Sequence, residues 1–311
     1  MLKLIDITSY PVRNVLPLLL KDKTTKHNII WATDTYAEHG EGFQDRQQIT
    51  EELLMEHPDI IKPRIAKSLE DQQARTRKKA EVFTPVWLCN QMNNYCDEEW
   101  FGRKDVFNIE NDDHTWDVVQ DKIEFPNKKT WKKYVDSRRL EITCGEAPFL
   151  VSRYDAATGN LIEPPKRRIG VLDRKLRIVG ENAEDHYDWL KWAARAIEAS
   201  YGYEYQGDNL LIARVNVLMT YVDFYRDRWG KDPDDWMIRE IANKIAWNIW
   251  QMDGFTDTVP LGKPQDTYHQ MDLFELEGTR AGSEDTAPFC KIQNWRAEAP
   301  VIFHMLKGIN K

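Results

Sequence analysis

The sequence predicts an α/β fold, because three short strands that end in acids or tight turns alternate with helices. The first strand lies in 139–150 and passes through a glycine turn into an apolar run that reads as a helix start. The second, over 201–205, has Glu204 near its end and leads into a helix, and a helix over 237–249 leads to the third strand end at Asp253-Gly254. Open α/β sheets bind ligands at the carboxyl ends of their strands, so these three junctions are the candidate site.

The composition is that of a folded protein with a sizeable core. Of 311 residues, 41% are hydrophobic and 30% are charged, and the two signs of charge are mixed. The length predicts about two domains, or one α/β domain with additions. No apolar run approaches the roughly 20 residues of a membrane helix, and the first ten residues lack the pattern of a secretion signal. The cysteines form no C-x-x-C pair, so we expect reduced thiols in a cytoplasmic protein.

Residues 1–80 are predicted to form a helical, mostly polar N-terminal region without catalytic features. The segment 62–79 within it is basic, and so is Lys166-Arg167-Arg168 further along the chain. The net charge of −8 disfavours extensive contact with nucleic acid, because phosphate binding depends on clustered Lys and Arg. Two interpretations of the basic stretches stay open, a solvated surface and a contact surface for DNA.

Four short motifs follow one another in a recognisable order. Phe83-Thr84-Pro85 precedes a predicted helix, and Leu140-Glu141 is followed by Cys144-Gly145 and then Phe149. A strand ending at Glu204 and an Asn-Ile-x-x-x-Asp-Gly sequence ending at Gly254 come later. This order resembles that of the S-adenosylmethionine-dependent amino-methyltransferases of DNA restriction-modification systems, in particular their modification (M) subunits.

The resemblance implies a class I, Rossmann-like methyltransferase sheet and a methyltransferase-like domain over 81–311, with insertions at about 94–139 and 153–184. It also implies S-adenosyl-L-methionine as cofactor, DNA as partner, and a specificity or restriction subunit as a second partner. We expect the chain to transfer a methyl group to the exocyclic amine of a base, most simply adenine N6. The alternative is a non-catalytic cofactor-binding or specificity subunit of a restriction-modification or phage-defence assembly.

The family's motifs assign cofactor contacts residue by residue. Phe83-Thr84-Pro85 and the loop after the first strand would surround the methionine end, Glu204 would accept from the ribose, and Asp253 would accept from the adenine amino group. The histidines show no metal-ligand spacing, so we expect no metal. The implied cofactor-binding residues are Phe83, Thr84, Pro85, Glu141, Cys144, Gly145, Phe149, Glu204 and Asp253.

One family motif is absent from the sequence. Amino-methyltransferases of this kind carry an Asn/Asp/Ser-Pro-Pro-aromatic tetrapeptide that accepts hydrogen bonds from the target amine and stacks on the flipped base. Two places could substitute for it. Asn294-Trp295 is the favoured catalytic pair because a predicted strand leads into it, and Pro288-Phe289 is the second choice.

Overall fold

The computed structural model describes residues 3–79, 84–126, 130–262 and 287–307. Within them ten α-helices alternate with seven short strands. The helices are α1 (Val12–Leu19), α2 (Glu51–Glu56), α3 (Leu69–Lys79), α4 (Val86–Phe101), α5 (Trp131–Val135), α6 (Val171–Asn182), α7 (His186–Glu198), α8 (Gly207–Trp229), α9 (Asp235–Asn248) and α10 (Phe303–Leu306). The strands are β1 (Asn108–Glu110), β2 (Trp116–Val118), β3 (Arg139–Glu141), β4 (Ser200–Glu204), β5 (Ile249–Gln251), β6 (Lys291–Asn294) and β7 (Ala299–Ile302).

A parallel sheet of three strands, in the order β3-β4-β5, lies at the centre of the chain. Glu141 pairs with Gly202, and Glu204 pairs with Gln251, so the carboxyl ends of all three strands form one edge. This mixed α/β architecture confirms the coarse fold prediction. The other strands form the antiparallel pairs β1-β2 and β6-β7.

The two faces of the sheet are covered differently. The helices α6 to α9 belong to one large apolar core that includes Ile249 of β5. The opposite face presents Tyr201, Tyr203 and Trp250, which pack against the β6-β7 hairpin and Phe303. Alternate residues of a strand point to opposite faces, which is why β4 supplies both surfaces.

The predicted N-terminal region shares its core with the rest of the chain. Ile5, Leu16 and Trp31 are buried in the same cluster as the core helices, and α1 packs on α9. Helix α6, within the predicted second insertion, also belongs to this core. None of the described helices has the length and apolarity needed to cross a membrane.

One local prediction is wrong. The apolar run after Gly145 was expected to begin a helix, but residues 146–150 form turns and the next α-helix, α6, begins only at Val171. Instead of a helix N-terminus, the backbone N–H groups of Phe149 and Leu150 turn inward to the carboxylate of Glu141.

Candidate functional site at the carboxyl edge of the sheet

The loop after β3 is built from backbone conformations that favour glycine. Thr143, Gly145 and Ala147 all have positive φ angles, of 45°, 54° and 66°. The N–H of Cys144 donates to the carbonyl of Tyr203 (2.8 Å), which extends the pairing of β3 with β4 into the loop. A Cβ on Gly145 would meet no atom within 4 Å, so this side of the loop is open.

Glu141 holds the loop after β3 through hydrogen bonds from the backbone of that loop. It is the last residue of β3, is 8% exposed, and accepts hydrogen bonds from the N–H groups of Phe149 (3.2 Å) and Leu150 (3.0 Å). Burial, with a smaller contribution from the nearby Glu204, raises its pKa to about 8 against the opposing effect of these two bonds. The sequence placed Glu141 beside the cofactor, and the structure makes it a buried support for the loop.

The raised pKa of Glu141 predicts a stability that falls with pH. The folded state holds a proton on Glu141 that the unfolded chain releases near pH 4.5, so the free energy of unfolding should fall as pH rises from 4.5 through about 8. Each unit of pKa difference corresponds to about 1.4 kcal/mol. Urea titrations between pH 6 and 8 should show the fall in the parent and a flatter profile in Glu141→Gln.

Measurements between pH 6 and 8 distinguish the effect of Glu141 on stability from that of another buried acid. Burial raises the pKa of Asp173 to about 6, so its own contribution is complete below that window. Asp173→Asn is the matched control and should keep the fall between pH 6 and 8. Equal slopes in the parent and Glu141→Gln would contradict the assignment.

Glu204 joins the ends of β3 and β4. Its carboxylate accepts from the N–H of Gly145 (2.9 Å) and from the N–H of Gln206 (3.2 Å), and the residue is 6% exposed. The structure therefore brings Glu204 and Gly145 together. Cys144, also buried between these acids, has a pKa raised by burial and by Glu141 and Glu204, so it remains a neutral thiol.

Asp253 begins a tight loop after β5. Its Oδ1 accepts from the N–H of Phe255 (2.9 Å), its carbonyl accepts from the N–H of Asp257 (2.8 Å), and its own N–H donates to the carbonyl of Thr258 (2.8 Å). Gly254 lies against the ring of Tyr203, where a Cβ would come within 3.0 Å. Asp253 thus lies at the same edge as Glu204.

The start of α4 approaches the loop after β3. Val86 and Cys89 pack in one apolar cluster with Phe149, and burial together with Glu141 raises the pKa of Cys89 to about 12. Thr84 and Pro85 directly precede this helix. Phe83 lies outside the described residues.

Asn294-Trp295 lies at the opposite edge of the sheet. The indole N–H of Trp295 donates to Oδ1 of Asn248 (2.7 Å), the residue just before β5, and Lys244 Nζ lies 4.6 Å from the ring centroid. The Oδ1 of Asn294 accepts from the N–H groups of the turn that follows it. The structure therefore does not bring this pair together with Glu204 and Asp253, because β6 runs toward the amino ends of the parallel strands.

Pro288-Phe289 lies against the loop that follows β5, at the carboxyl edge of the parallel sheet. The carbonyl of Pro288 accepts from the N–H of Val259 (3.1 Å), and Phe289 pairs with Thr258 of the Asp253 loop. The ring of Phe289 stacks on His304, with centroids 4.6 Å apart and planes 20° apart. His304 and its partner Asp257 were missed from the sequence, because 47 residues separate them and no local motif joins them.

The predicted DNA-contact segments are partly internal. Lys67 and Arg75 both pair with the fully buried Asp208, and Arg168 is buried against Asp223. Lys67, Arg75 and Arg168 therefore already form ion pairs within the protein. The exposed cations of the two stretches, among side chains the structure describes, are Lys62, Arg77 and Arg167.

Comparison with known proteins adds no relative. No protein-family model, curated protein or solved structure matches this chain. The resemblance to amino-methyltransferases therefore depends on the four short motifs and on where the fold places them.

Proposed function

We propose that this chain binds S-adenosyl-L-methionine at the carboxyl edge of β3, β4 and β5 and transfers its methyl group to an exocyclic amine of a DNA base, adenine N6 in the simplest case. One observation carries the proposal. Glu141, Glu204 and Asp253 come at the ends of three adjacent parallel strands, and the open loop of Gly145 lies between the first two. A nucleoside-binding α/β fold places its glycine turn and ribose acceptor in this relation.

The strand order supports a Rossmann-like methyltransferase sheet as the finer fold. Consecutive parallel strands β3-β4-β5 lie side by side, as in one half of a doubly wound sheet. Helices connect them, as parallel strands require. The β6-β7 hairpin covers the face that the helices leave open, so we infer a reduced sheet rather than a complete one.

The residues at this edge suit the cofactor. A carboxylate has about four lone-pair sites, so Glu204 can hold the Gly145 loop and accept from a ribose hydroxyl together. Asp253 Oδ2 has no hydrogen-bond partner among the described side chains and can accept from an adenine amino group. The open side of Gly145 leaves room for the methionine end beside the backbone.

In this proposal the cofactor supplies the reactive methyl group and the protein supplies its position relative to the amine. The cofactor, when bound, supplies an electrophilic methyl group on a sulfonium. The chain would hold that group in line with the amine, and positioning of this kind supplies much of the rate enhancement in enzymes. Arg77 and Arg167 are exposed and are candidates for contact with the DNA backbone.

The place of Asn294-Trp295 favours a second candidate, a cofactor-binding subunit without catalysis. The pair proposed to hold the target base lies at the far edge of the sheet, bonded to Asn248 and to its own turn. A restriction-modification or phage-defence assembly would then take its catalytic residues from another subunit.

Transfer of a tritiated methyl group from the cofactor to unmethylated genomic DNA distinguishes the two candidates. We expect the parent chain to label DNA, and Asn294→Ala to label it at the parental rate because Asn294 lies far from the cofactor edge. Absence of labelling with retained cofactor binding would favour the non-catalytic subunit. A loss in Asn294→Ala alone, with unchanged thermal stability, would restore the Asn294-Trp295 site.

A further inference from the structure

A carboxylate–histidine pair lies beside the proposed cofactor edge. Nδ1 of His304 is 2.8 Å from Oδ2 of Asp257, whose side chain is 4% exposed, whereas the imidazole side chain is 44% exposed. Asp257 is bound through its backbone N–H to the carbonyl of Asp253, so the pair belongs to the loop that holds the proposed adenine acceptor.

The geometry determines which ring nitrogen can act. A carboxylate only accepts hydrogen bonds, so Nδ1 must carry the proton that it donates to Asp257. In the neutral ring Nε2 is then left with its lone pair. A buried carboxylate that orients a histidine in this way is the usual arrangement of a histidine base.

Two further side chains contact the members of this pair. Phe289 stacks on one face of the imidazole, and Lys307 pairs with the other oxygen of Asp257. Tyr203 lies nearby, since Asp257 contributes to its raised pKa after the larger effect of burial. Among the described residues, Lys307 is the charged side chain that pairs with Asp257 besides His304, and it directly follows the helix α10 that carries His304.

We propose that His304, oriented by Asp257, accepts a hydrogen bond from the target amine through Nε2 and takes the proton that the amine releases on methylation. This inference rests on the proposed methyl transfer. The amine nitrogen forms its new bond to the methyl carbon with its lone pair, and the electron pair of the broken sulfur–carbon bond stays on sulfur. The displaced proton goes to Nε2, and the Asp257 carboxylate offsets the imidazolium charge until water removes the proton.

His304 would replace the hydrogen-bond acceptor that the missing Asn/Asp/Ser-Pro-Pro-aromatic tetrapeptide supplies in the family. An aromatic amine is a poor nucleophile until acceptors on its hydrogens release the nitrogen lone pair from the ring. His304 supplies such an acceptor beside Pro288-Phe289, at the edge where Asp253 lies. Asn294 is at the other edge and cannot reach the same amine.

Single-turnover methylation of DNA across pH 5 to 9 tests the proposal. A protonated Nε2 cannot accept a hydrogen bond, so the parental rate should fall toward acidic pH. His304→Gln should lose this acid limb and about 100-fold in rate, the lower range for a general base. Lys307→Met removes the other ion pair of Asp257 without removing the imidazole. It is the control for a purely structural role of this cluster, and it should keep the fall in rate at acidic pH.

The outcomes separate the two proposals. NMR of the parent should also show the Nδ1–H tautomer, a readout that needs neither cofactor nor DNA. A parent that labels no DNA overturns the methyltransferase proposal and this inference with it. An active parent whose acid limb persists in His304→Gln overturns the role of His304 alone, and so does an equal loss of rate in Lys307→Met or an Nε2–H tautomer in the NMR spectrum.

Discussion

Replacing Asp208 with alanine is expected to lower the free energy of unfolding by about 3–5 kcal/mol. Asp208 is fully buried at the start of α8, and its carboxylate pairs with Lys67 Nζ (3.2 Å) and Arg75 Nη1 (2.9 Å). Tyr36 also donates to it, at 2.7 Å. Removing the acid leaves two cations in a buried place without their counter-charge, which costs more than the pair itself contributes. Urea denaturation at neutral pH measures the loss.

Arg77→Ala is the matched control for the Asp208 network. Arg77 lies on α3 with Arg75 but is exposed, so its removal should change the free energy of unfolding by about 0.5 kcal/mol or less. The two cations hold the pKa of Asp208 well below its usual range, against the opposing effect of burial. Its contribution should therefore persist at neutral pH and be lost only in strong acid. Equal stability of Asp208→Ala and Arg77→Ala would contradict the network.

Gly207→Ala is expected to destabilise the protein by about 2–3 kcal/mol, because the position has no room for a side chain. Gly207 is the first residue of α8, and a Cβ there would lie 2.1 Å from the carbonyl oxygen of Ile30. The N–H of Gly207 donates to the carbonyl of Trp31 (2.9 Å), so the backbone of the N-terminal region is fixed at this point. The clash is with backbone and can be relieved only by moving that region.

Gly180→Ala gives the opposite expectation within the same fold. Gly180 lies inside α6, and a Cβ there would meet no atom within 4 Å. Alanine is a better helix former than glycine by about 1 kcal/mol, so this variant should be slightly more stable than the parent. Thermal unfolding of both variants tests the packing. A Gly207→Ala protein as stable as Gly180→Ala would show that the N-terminal region does not pack on α8 as described.

The sequence predicted the elements that local pattern controls. The strand at 201–205, the helix after it and the helix at 237–249 are confirmed as β4, α8 and α9, because aromatic alternation and helical spacing are local signals. The acid at each strand end was predicted for the same reason. Glu204 and Asp253 come together because parallel strands that lie side by side end at one edge.

Long-range pairing decided what the sequence did not predict. The expected helix after Gly145 is absent because Glu141 captures the N–H groups of Phe149 and Leu150. The basic segment carries Arg75 inward because Asp208, 133 residues away, lies buried beneath it. The sequence analysis predicted the strand before Trp295 correctly but placed Trp295 at the wrong edge of the sheet. The direction in which a strand crosses a sheet depends on long-range contacts that no local motif encodes.

Titration calorimetry with S-adenosyl-L-methionine tests the central claim most directly. We expect the parent to bind one equivalent, and Asp253→Ala to bind about 10- to 100-fold more weakly, as for the loss of a hydrogen bond to a charged group worth about 1.5–3 kcal/mol. Glu204→Gln should also weaken binding, whereas Asn294→Ala, at the opposite edge, should bind as the parent does. No binding by a folded parent, or equal affinity in all three variants, would contradict a cofactor site at the carboxyl edge of β3, β4 and β5.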